Sequence, residues 1–521
     1  MSHSGYSPSA GKRVAAAIVL IALAYAVSAG FGWPQHGTAL ATHASETPKS
    51  AAAGEQGDKN DSHAAGAPHL IWIAPFVILL GCIAILPLLP ATQHWWESNL
   101  HRFYVAAGLG LLTLLYYLLG HSYAIEGHWP GHHVVHPTAD KVQWVFAWTI
   151  FVNAIFNEYI PFIVLLFSLY TISGGIRIEG DLRARPLTNT IFLAVGGLLA
   201  SLIGTTGAAM LLIRPLLETN RERRHVAHTV VMFIFIVCNC GGCLLPIGDP
   251  PLFLGYLKGV PFFWTLGLWR EWLFINGALL AVYFLWDYGY HYPREKKQHI
   301  VQDDLRVRGL VISGWQLNGP LLLAVVACVA LLDPNKALLG TSWHPWLYLR
   351  EICLLVLVAA SLLAGSHTVR EKNKFTYAAI VEVAALFLGI FLCMQPALQI
   401  LHVHGSELGL NTPARFYWAT GSLSSVLDNA PTYLVFFETA KTQGGDLAVE
   451  GGTIDSLTLA AISLGAVFMG AMTYIGNGPN FMVKALAEGA NVKMPSFFGY
   501  LKYSFGILLP LLALTCWLFL V

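Results

Sequence analysis

The sequence predicts an all-α polytopic membrane protein: two inverted repeats of five transmembrane spans, each with a re-entrant hairpin and an interrupted helix. Three observations carry this. Of 521 residues, 55% are hydrophobic and only 11% charged, where an average soluble protein carries about 25% charged residues. Apolar runs recur that are long enough, at about 20 residues, to cross a bilayer as helices, and they are too continuous for the alternating strands of a barrel. A helix-breaking stretch occurs twice, at a fixed distance. So few charges cannot coat a soluble enzyme of this size, and a mean hydropathy of +0.58 excludes a disordered chain. A net charge of +1 lacks the basic excess of a nucleic-acid binder. The eight Cys lie mostly in apolar segments, so no disulfide framework is expected.

Residues 1–33 read as a signal peptide or a first transmembrane helix. Lys12 and Arg13 precede an apolar run that ends in Ala26-Val27-Ser28-Ala29. Residues 34–68, rich in Ala, Gly, Ser, Asp and His, read as a flexible exported linker. Ten crossings follow, at about 69–90, 102–120, 142–176, 228–258, 262–287, 311–332, 347–365, 375–401, 456–490 and 497–520.

Two further runs, 187–218 and 414–440, behave differently. The first is flanked by Arg177, Arg183 and Arg185 before it and by Arg221, Arg223 and Arg224 after it. Positive loops lie inside, so both ends are cytoplasmic and the run is a re-entrant hairpin turning at Gly204-Thr205-Thr206-Gly207. Arg294, Lys296, Lys297, Arg306 and Arg308 mark a second cytoplasmic loop, and Arg370, Lys372 and Lys374 a third. Loops 121–141, 333–346, 402–413 and 441–455 are acidic or His-rich and fall outside.

Ile247-Gly248-Asp249-Pro250-Pro251 recurs as Ile475-Gly476-Asn477-Gly478-Pro479, an offset of 228. Glu158 and Glu382, each read as opening a long apolar helix, are 224 apart. The tips Thr205-Thr206-Gly207-Ala208 and Leu427-Asp428-Asn429-Ala430 are 222 apart, which pairs Thr206 with Asp428. Five spans per half is odd, so the second half is inverted. The halves are repeat 1 (69–290) and repeat 2 (311–521), joined by a cytoplasmic linker at 291–310.

Inverted repeats with matching helix breaks mark a secondary transporter whose site lies near the midplane. Its oxygen-rich candidates are Thr205, Thr206, Asp249, Asp428, Asn429, Asn477 and Asn480. Pro246, Pro250 and Pro251 remove backbone donors, and the freed carbonyls suit a cation. Asp249, Asp428, Glu158 and Glu382 are the proton-coupling candidates, with Glu158 and Glu382 equally open to a structural role. Asp428 ranks first as the acid that takes either H+ or Na+, because its counterpart is Thr206; Asp249 ranks second. Cys238, Cys240 and Cys243 do not share one helix face and read as small packing residues, with Asn239 among residues that line the cavity. His121, His128, His132, His133 and His136 read as a solvated loop, with metal binding or pH sensing as the alternative. Arg214 reads as an inner-interface residue that, turned inward, would favour an anion.

At these residues the chain resembles the ion-transporter superfamily of NhaD-type sodium/proton antiporters, arsenite permeases, dicarboxylate/sodium symporters and citrate–metal carriers. It is most similar to the bacterial branch labelled sodium:proton antiporters or putative citrate transporters. The matching stretches are Asn157-Glu158-Tyr159 with Ser173-Gly174-Gly175-Ile176, Gly204 to Ala208, Leu244 to Phe253, Leu427 to Thr432, and Gly476 to Asn480. The resemblance covers about 70–521 and implies two inverted repeats with hairpins and unwound helices, often dimeric. The dicarboxylate symporters carry Ser-Asn-Thr at both tips; this chain has Gly-Thr-Thr-Gly and Leu-Asp-Asn-Ala, which fits cation exchange better.

The expectation is therefore a Na+/H+ antiporter without cofactor or resident metal, in a bacterial inner membrane, with Na+, H+ and lipid as partners and a homodimer compatible with the family. The alternative is cation-coupled uptake of citrate or a related anion, which needs a basic pocket with Arg214 as its one deep candidate. Arsenite efflux would lean on poorly placed cysteines. A membrane enzyme would need ligating His pairs in the spans, which contain hardly any His.

Overall fold

A computed structural model describes residues 7–46, 66–138, 140–296, 298, 308–338 and 340–521. Residues 47–65 of the predicted linker, and Lys297 and Arg306 of the predicted cytoplasmic loop, lie outside the described residues. The described chain is mostly helical, an all-α multi-pass membrane protein. Among the described residues, six helices are long and apolar enough to cross a membrane: Pro8–Gly30, Asn99–Leu119, Trp144–Ser173, Pro186–Ile203, Trp264–Arg294 and Phe497–Phe519. A seventh is added if Ala378–Cys393 and Gln395–Leu408, bent by 42°, form one span.

Four of the six match predicted crossings, whereas Pro8–Gly30 precedes them and Pro186–Ile203 belongs to the first predicted hairpin. The shortfall from ten has two physical causes. Some predicted crossings are short apolar helices, such as Leu70–Ile85 and Trp315–Leu331. Two others are broken. Residues 228–258 resolve into Ala227–Ile236, a tight turn at Cys240–Cys243, another at Pro246–Gly248, and Pro250–Leu257. Residues 456–490 resolve into Ser456–Met469, a turn at Gly470–Met472, and Gly478–Gly489. Both breaks are close-packed on glycine: a Cβ on Gly248 would collide with the Gly242 carbonyl, and one on Gly476 would sit 2.6 Å from the Gly470 carbonyl.

Segment 187–218 is two helices, Pro186–Ile203 and Thr205–Thr219, hinged at Gly204, whose φ of +80° an L side chain rarely adopts. Its ends meet: Asn189 and Asn220 exchange hydrogen bonds at 2.8 and 2.9 Å, and Leu182 N donates to Thr219 Oγ1. Segment 414–440 is likewise Pro413–Ser424 and Asn429–Lys441, with Gln443 Nε2 donating to Leu410 O across its ends.

Helix Trp144–Ser173 connects the two faces of the molecule. At 30 residues it is about 45 Å long, more than the ~30 Å bilayer core. Near its start, Asn153 holds the loop at Glu126 and His128. At its end, Gly174 and Ile176 accept from Asn373 Nδ2. The ends of the first hairpin gather on the Asn373 face, where Arg177 donates to Lys372 O and Arg214 to Asn373 O. The basic loops thus collect on one face, although Arg223 and Arg370 are buried rather than solvated: Arg223 forms a two-pronged bond to Asp287, and Arg370 donates to Thr171 O and Ser361 Oγ. The second hairpin ends on the opposite face, with Lys441 and Glu438 near Glu450.

Three two-stranded ribbons, unexpected in an all-α reading, pair Ile125–Gly127 with His133–Val135, Arg177–Asp181 with Arg308–Ser313, and Leu447–Val449 with Gly452–Ile454. The predicted 311–332 span therefore begins as a strand, and its helix starts only after Gly314, at φ +77°. Residues 34–46 of the predicted flexible linker lie in the helix Trp33–Glu46, consistent with their alanine content. Thr38 ties that helix to the body through Pro345 O and Leu347 N. Helix Pro8–Gly30 docks beside it, with Tyr25 donating to Leu347 O at 3.0 Å.

Candidate functional site

Both breaks turn the chain at the same kind of residue. Asp249 (φ −142°, ψ 143°) and Asn477 (φ −153°, ψ 138°) are extended N-caps of helices with proline in the first two positions, and neither side chain caps its own helix. Their side chains are therefore free to point elsewhere, and both turn inward.

Asp249 is the centre. Thr205 Oγ1 donates to its Oδ1 at 2.8 Å, Asn477 Nδ2 to the same oxygen at 3.1 Å, and Asn429 Nδ2 to its Oδ2 at 2.6 Å. The four residues come from both hairpins and both breaks, up to 228 positions apart in sequence for bonded pairs. All are at most 3% exposed. The three hydrogen-bond partners are neutral, and the nearby charge is another carboxylate, Asp428. A buried carboxylate without a counter-cation is costly, so this site calls for a proton or a cation. The Asn429 Oδ1 oxygen is buried with no hydrogen-bond partner among the described residues, a free ligand atom beside the carboxylate.

A second layer holds this centre. Asn477 Nδ2 also donates to Cys238 O and Asn239 Oδ1; Asn239 Nδ2 donates to Asn480 Oδ1 at 2.8 Å; Asn480 Nδ2 donates to Gly470 O and Thr473 O. Asn480 thus acts through Asn239 and does not touch Asp249. Each hairpin is pinned to its break by a serine: Ser201 Oγ to Gly241 O at 2.6 Å and Ser425 Oγ to Met469 O at 3.3 Å.

The other predicted residues fall elsewhere. Asp428 is half-buried at the second tip, and its carboxylate accepts from Ala430 N as a helix N-cap. Thr206 lines a cleft of about 500 Å³ along the first tip, with Thr205, Gly248 and the otherwise apolar Leu169, Ile203 and Val383. Glu158 does not open a helix. It sits in a wide helical turn, Asn153–Tyr159, inside one continuous helix, and pairs with Lys258 at 2.6 Å. Glu382 pairs with Arg102 at 2.9 Å and is half exposed. Arg214 lines a separate cavity with Ser173, Met210 and Phe375, its guanidinium bound to Asn373 O.

The tips also pair differently from the sequence expectation. The second helices of the two hairpins begin at Thr205 and Asn429, and the pinning serines are Ser201 and Ser425; both offsets are 224. Asp428 therefore corresponds to the hinge Gly204 rather than to Thr206. The shared alanine of the two tips had suggested a register two residues off. Asn239 and the two serines carry the site's support, and only Asn239 lay near a sequence signal.

Residues 127–520, about three quarters of the chain, match the CitMHS_2 family, described as "Putative citrate transport". No curated protein matches the chain. The chain therefore belongs to this family, and through it to the ion transporter superfamily.

Proposed function

Starting from that membership, we propose that the chain is a Na+/H+ antiporter of the NhaD type whose exchanging group is Asp249. The observation that carries this reading is a buried carboxylate held by three neutral donors and facing a free amide oxygen. Such a group must be neutralised, and H+ and Na+ are mutually exclusive ways to do it. Na+ takes the carboxylate with Asn429 Oδ1, Thr205 Oγ1 and freed carbonyls as oxygen ligands; a proton takes the carboxylate alone.

We further propose that the two halves, 69–290 and 311–521, are inverted repeats. The shared offsets of 224 and 228, and hairpins entering from opposite faces, support this. In this arrangement the basic face is cytoplasmic, the membrane is a bacterial inner membrane, and a homodimer fits the family.

The family description favours a second reading, cation-coupled citrate uptake. A tricarboxylate wants cationic donors. None of the side chains bonded to Asp249 is cationic, and Arg214 is engaged at another cavity. The deciding experiment uses everted vesicles from a strain without its own antiporters, loaded with a pH dye. Added Na+ is expected to collapse the imposed pH gradient, and added citrate to leave it unchanged. Citrate-dependent collapse or uptake without a Na+ response would overturn the antiporter in favour of the anion carrier.

A further inference from the structure

The face that carries the ribbons at 125–135 and 447–454 holds a cluster that ion exchange at Asp249 does not use. The first ribbon places Glu126 and His128 on one side of its turn, and His132 at the other. One ligand atom from each lies within 4.8 Å of the other two. His132 Nε2 and Glu126 Oε2 are 3.4 Å apart. That is long for a charge-assisted hydrogen bond but equal to the edge of a tetrahedron with metal–ligand bonds of about 2.1 Å, roughly 3.4 Å. The side chains of Glu126 and His132 are partly exposed and that of His128 less so, so an ion has access.

Not every histidine of this loop takes part. His121 is packed against Tyr116, Tyr117 and Phe146, and burial pushes its ring down to about 4. It is neutral at physiological pH and belongs to the packing.

Two further observations separate the trio from an ordinary surface cluster. First, its backbone is clamped. Asn153 Oδ1 accepts from His128 N and Asn153 Nδ2 donates to Glu126 O, both at 2.8 Å, so one side chain on a membrane helix sets both ligands. Second, its surroundings are short of positive charge. Glu158, Glu438 and Glu450 gather around Lys258, Glu450 also meets Lys441, and Glu126 acts with both lysines on His128. Four carboxylates against two ammoniums leave two negative charges, the charge of one divalent cation. Glu450 Oε1 lies 3.6 Å from His128 Nδ1, and this nitrogen is buried with no hydrogen-bond partner among the described residues. A carboxylate beside a ligating imidazole is the usual outer partner in a metal site.

We propose that Glu126, His128 and His132 form a site for a divalent transition-metal ion of the zinc class, with Asn153 as its positioning residue and a water in the fourth position. Two imidazoles and one carboxylate select zinc-like ions over Mg2+ and Ca2+, which prefer all-oxygen shells. A bound ion ties the 125–135 ribbon to Glu450. The Glu450 backbone N donates to Lys258 O at 2.8 Å, directly after the helix Pro250–Leu257 that Asp249 precedes. The site is thus connected to the broken helix while lying apart from the carboxylate that exchanges ions.

The test uses the full chain in detergent, purified on a tag without histidine, with Co2+ as the spectroscopic probe. One Co2+ per chain with the intense visible absorption of tetrahedral nitrogen–oxygen ligation is expected, displaced by Zn2+ and not by excess Mg2+. The band is expected to vanish in the His128→Ala/His132→Ala double variant and in Glu126→Gln, and to persist in His133→Ala and His136→Ala. Asn153→Ala is expected to keep the band and bind about tenfold more weakly. Size-exclusion profiles verify folding, and the isosteric Glu126→Gln keeps the test decisive should the double variant not fold. The proposal is overturned if wild-type chain shows no such band, if Mg2+ displaces Co2+ as well as Zn2+ does, or if the His133 and His136 variants lose it equally. Transport is not part of the readout, so failure here is independent of the antiporter reading.

Discussion

Asp249 and Asn477 stand at matching places in two breaks that share their backbone: a tight turn packed glycine on glycine, an extended N-cap, and a helix with proline in its first two positions. Their side chains have the same shape, yet their roles diverge. Asn477 spends its amide donating to Cys238 O, Asn239 Oδ1 and Asp249 Oδ1. Asp249 only accepts, from one donor in its own half and two in the other. One break supplies the charge and the other supplies what holds it. A duplicated scaffold can therefore build a single asymmetric site, in which occupancy by an ion changes the neutralisation of one half alone.

The largest effect should come from removing that asymmetry. Asp249→Asn keeps the side-chain shape and deletes the only charge that three donors converge on. Na+-driven dequenching is expected to fall to background, with pH dependence lost as well, while the protein still inserts and elutes normally. Normal exchange by this variant would end the comparison, because the two breaks would then be functionally equal.

Next comes the pair Glu158 and Glu382, the acids that sequence spacing treats as equivalents. Glu158→Gln removes the carboxylate hydrogen-bonded to the buried Lys258 and leaves it only the electrostatic contact of Glu438 and Glu450, and breaking a buried pair costs up to about 3–5 kcal/mol. Glu382→Gln releases Arg102 from a half-exposed contact, which is expected to cost under about 1 kcal/mol. Thermal unfolding in detergent should separate the two variants clearly. Equal losses would show that the ion pair at Lys258 is no more buried in function than the one at Arg102.

The donors rank third. Thr205→Val and Asn429→Ala each remove one hydrogen bond to a carboxylate, worth about 1.5–3 kcal/mol. Apparent Na+ affinity is expected to fall by roughly tenfold or more at 1.4 kcal/mol per decade. Asn429→Ala should be the more severe, since it also removes the free Oδ1 oxygen. If Thr205→Val were worse, the ion would lie on the first hairpin rather than between the two.

The sequence made the breaks, the hairpins and Asp249 legible because each depends on local chemistry: prolines that remove donors, a glycine hinge, and an acid in an apolar run. The register of the two tips was not legible, since Gly204 and Asp428 perform the same turn with unlike residues. Gly204 uses its positive φ, and Asp428 accepts from a backbone amide. The partners of Glu158 and Glu382 were also hidden, because Lys258 and Arg102 lie 100 and 280 residues away. The number of long helices came out lower than the number of apolar runs, since hydropathy does not register a helix that unwinds midway.

The smallest effect tests what Asp428 is for. The sequence offers it as the first choice for proton exchange; the geometry gives it a capping bond to Ala430 N and leaves it half-buried, outside the hydrogen bonds that hold the Asp249 carboxylate. A cap needs an oxygen, not a charge, and Ser or Asn supplies one. Asp428→Ser and Asp428→Asn are therefore expected to retain most Na+ exchange and to lose little stability, while Asp428→Ala should cost about 1 kcal/mol. Loss of exchange in Asp428→Asn at every pH, with Asp249→Asn still active, would reverse the assignment and make the second tip, not the first break, the place where H+ and Na+ compete.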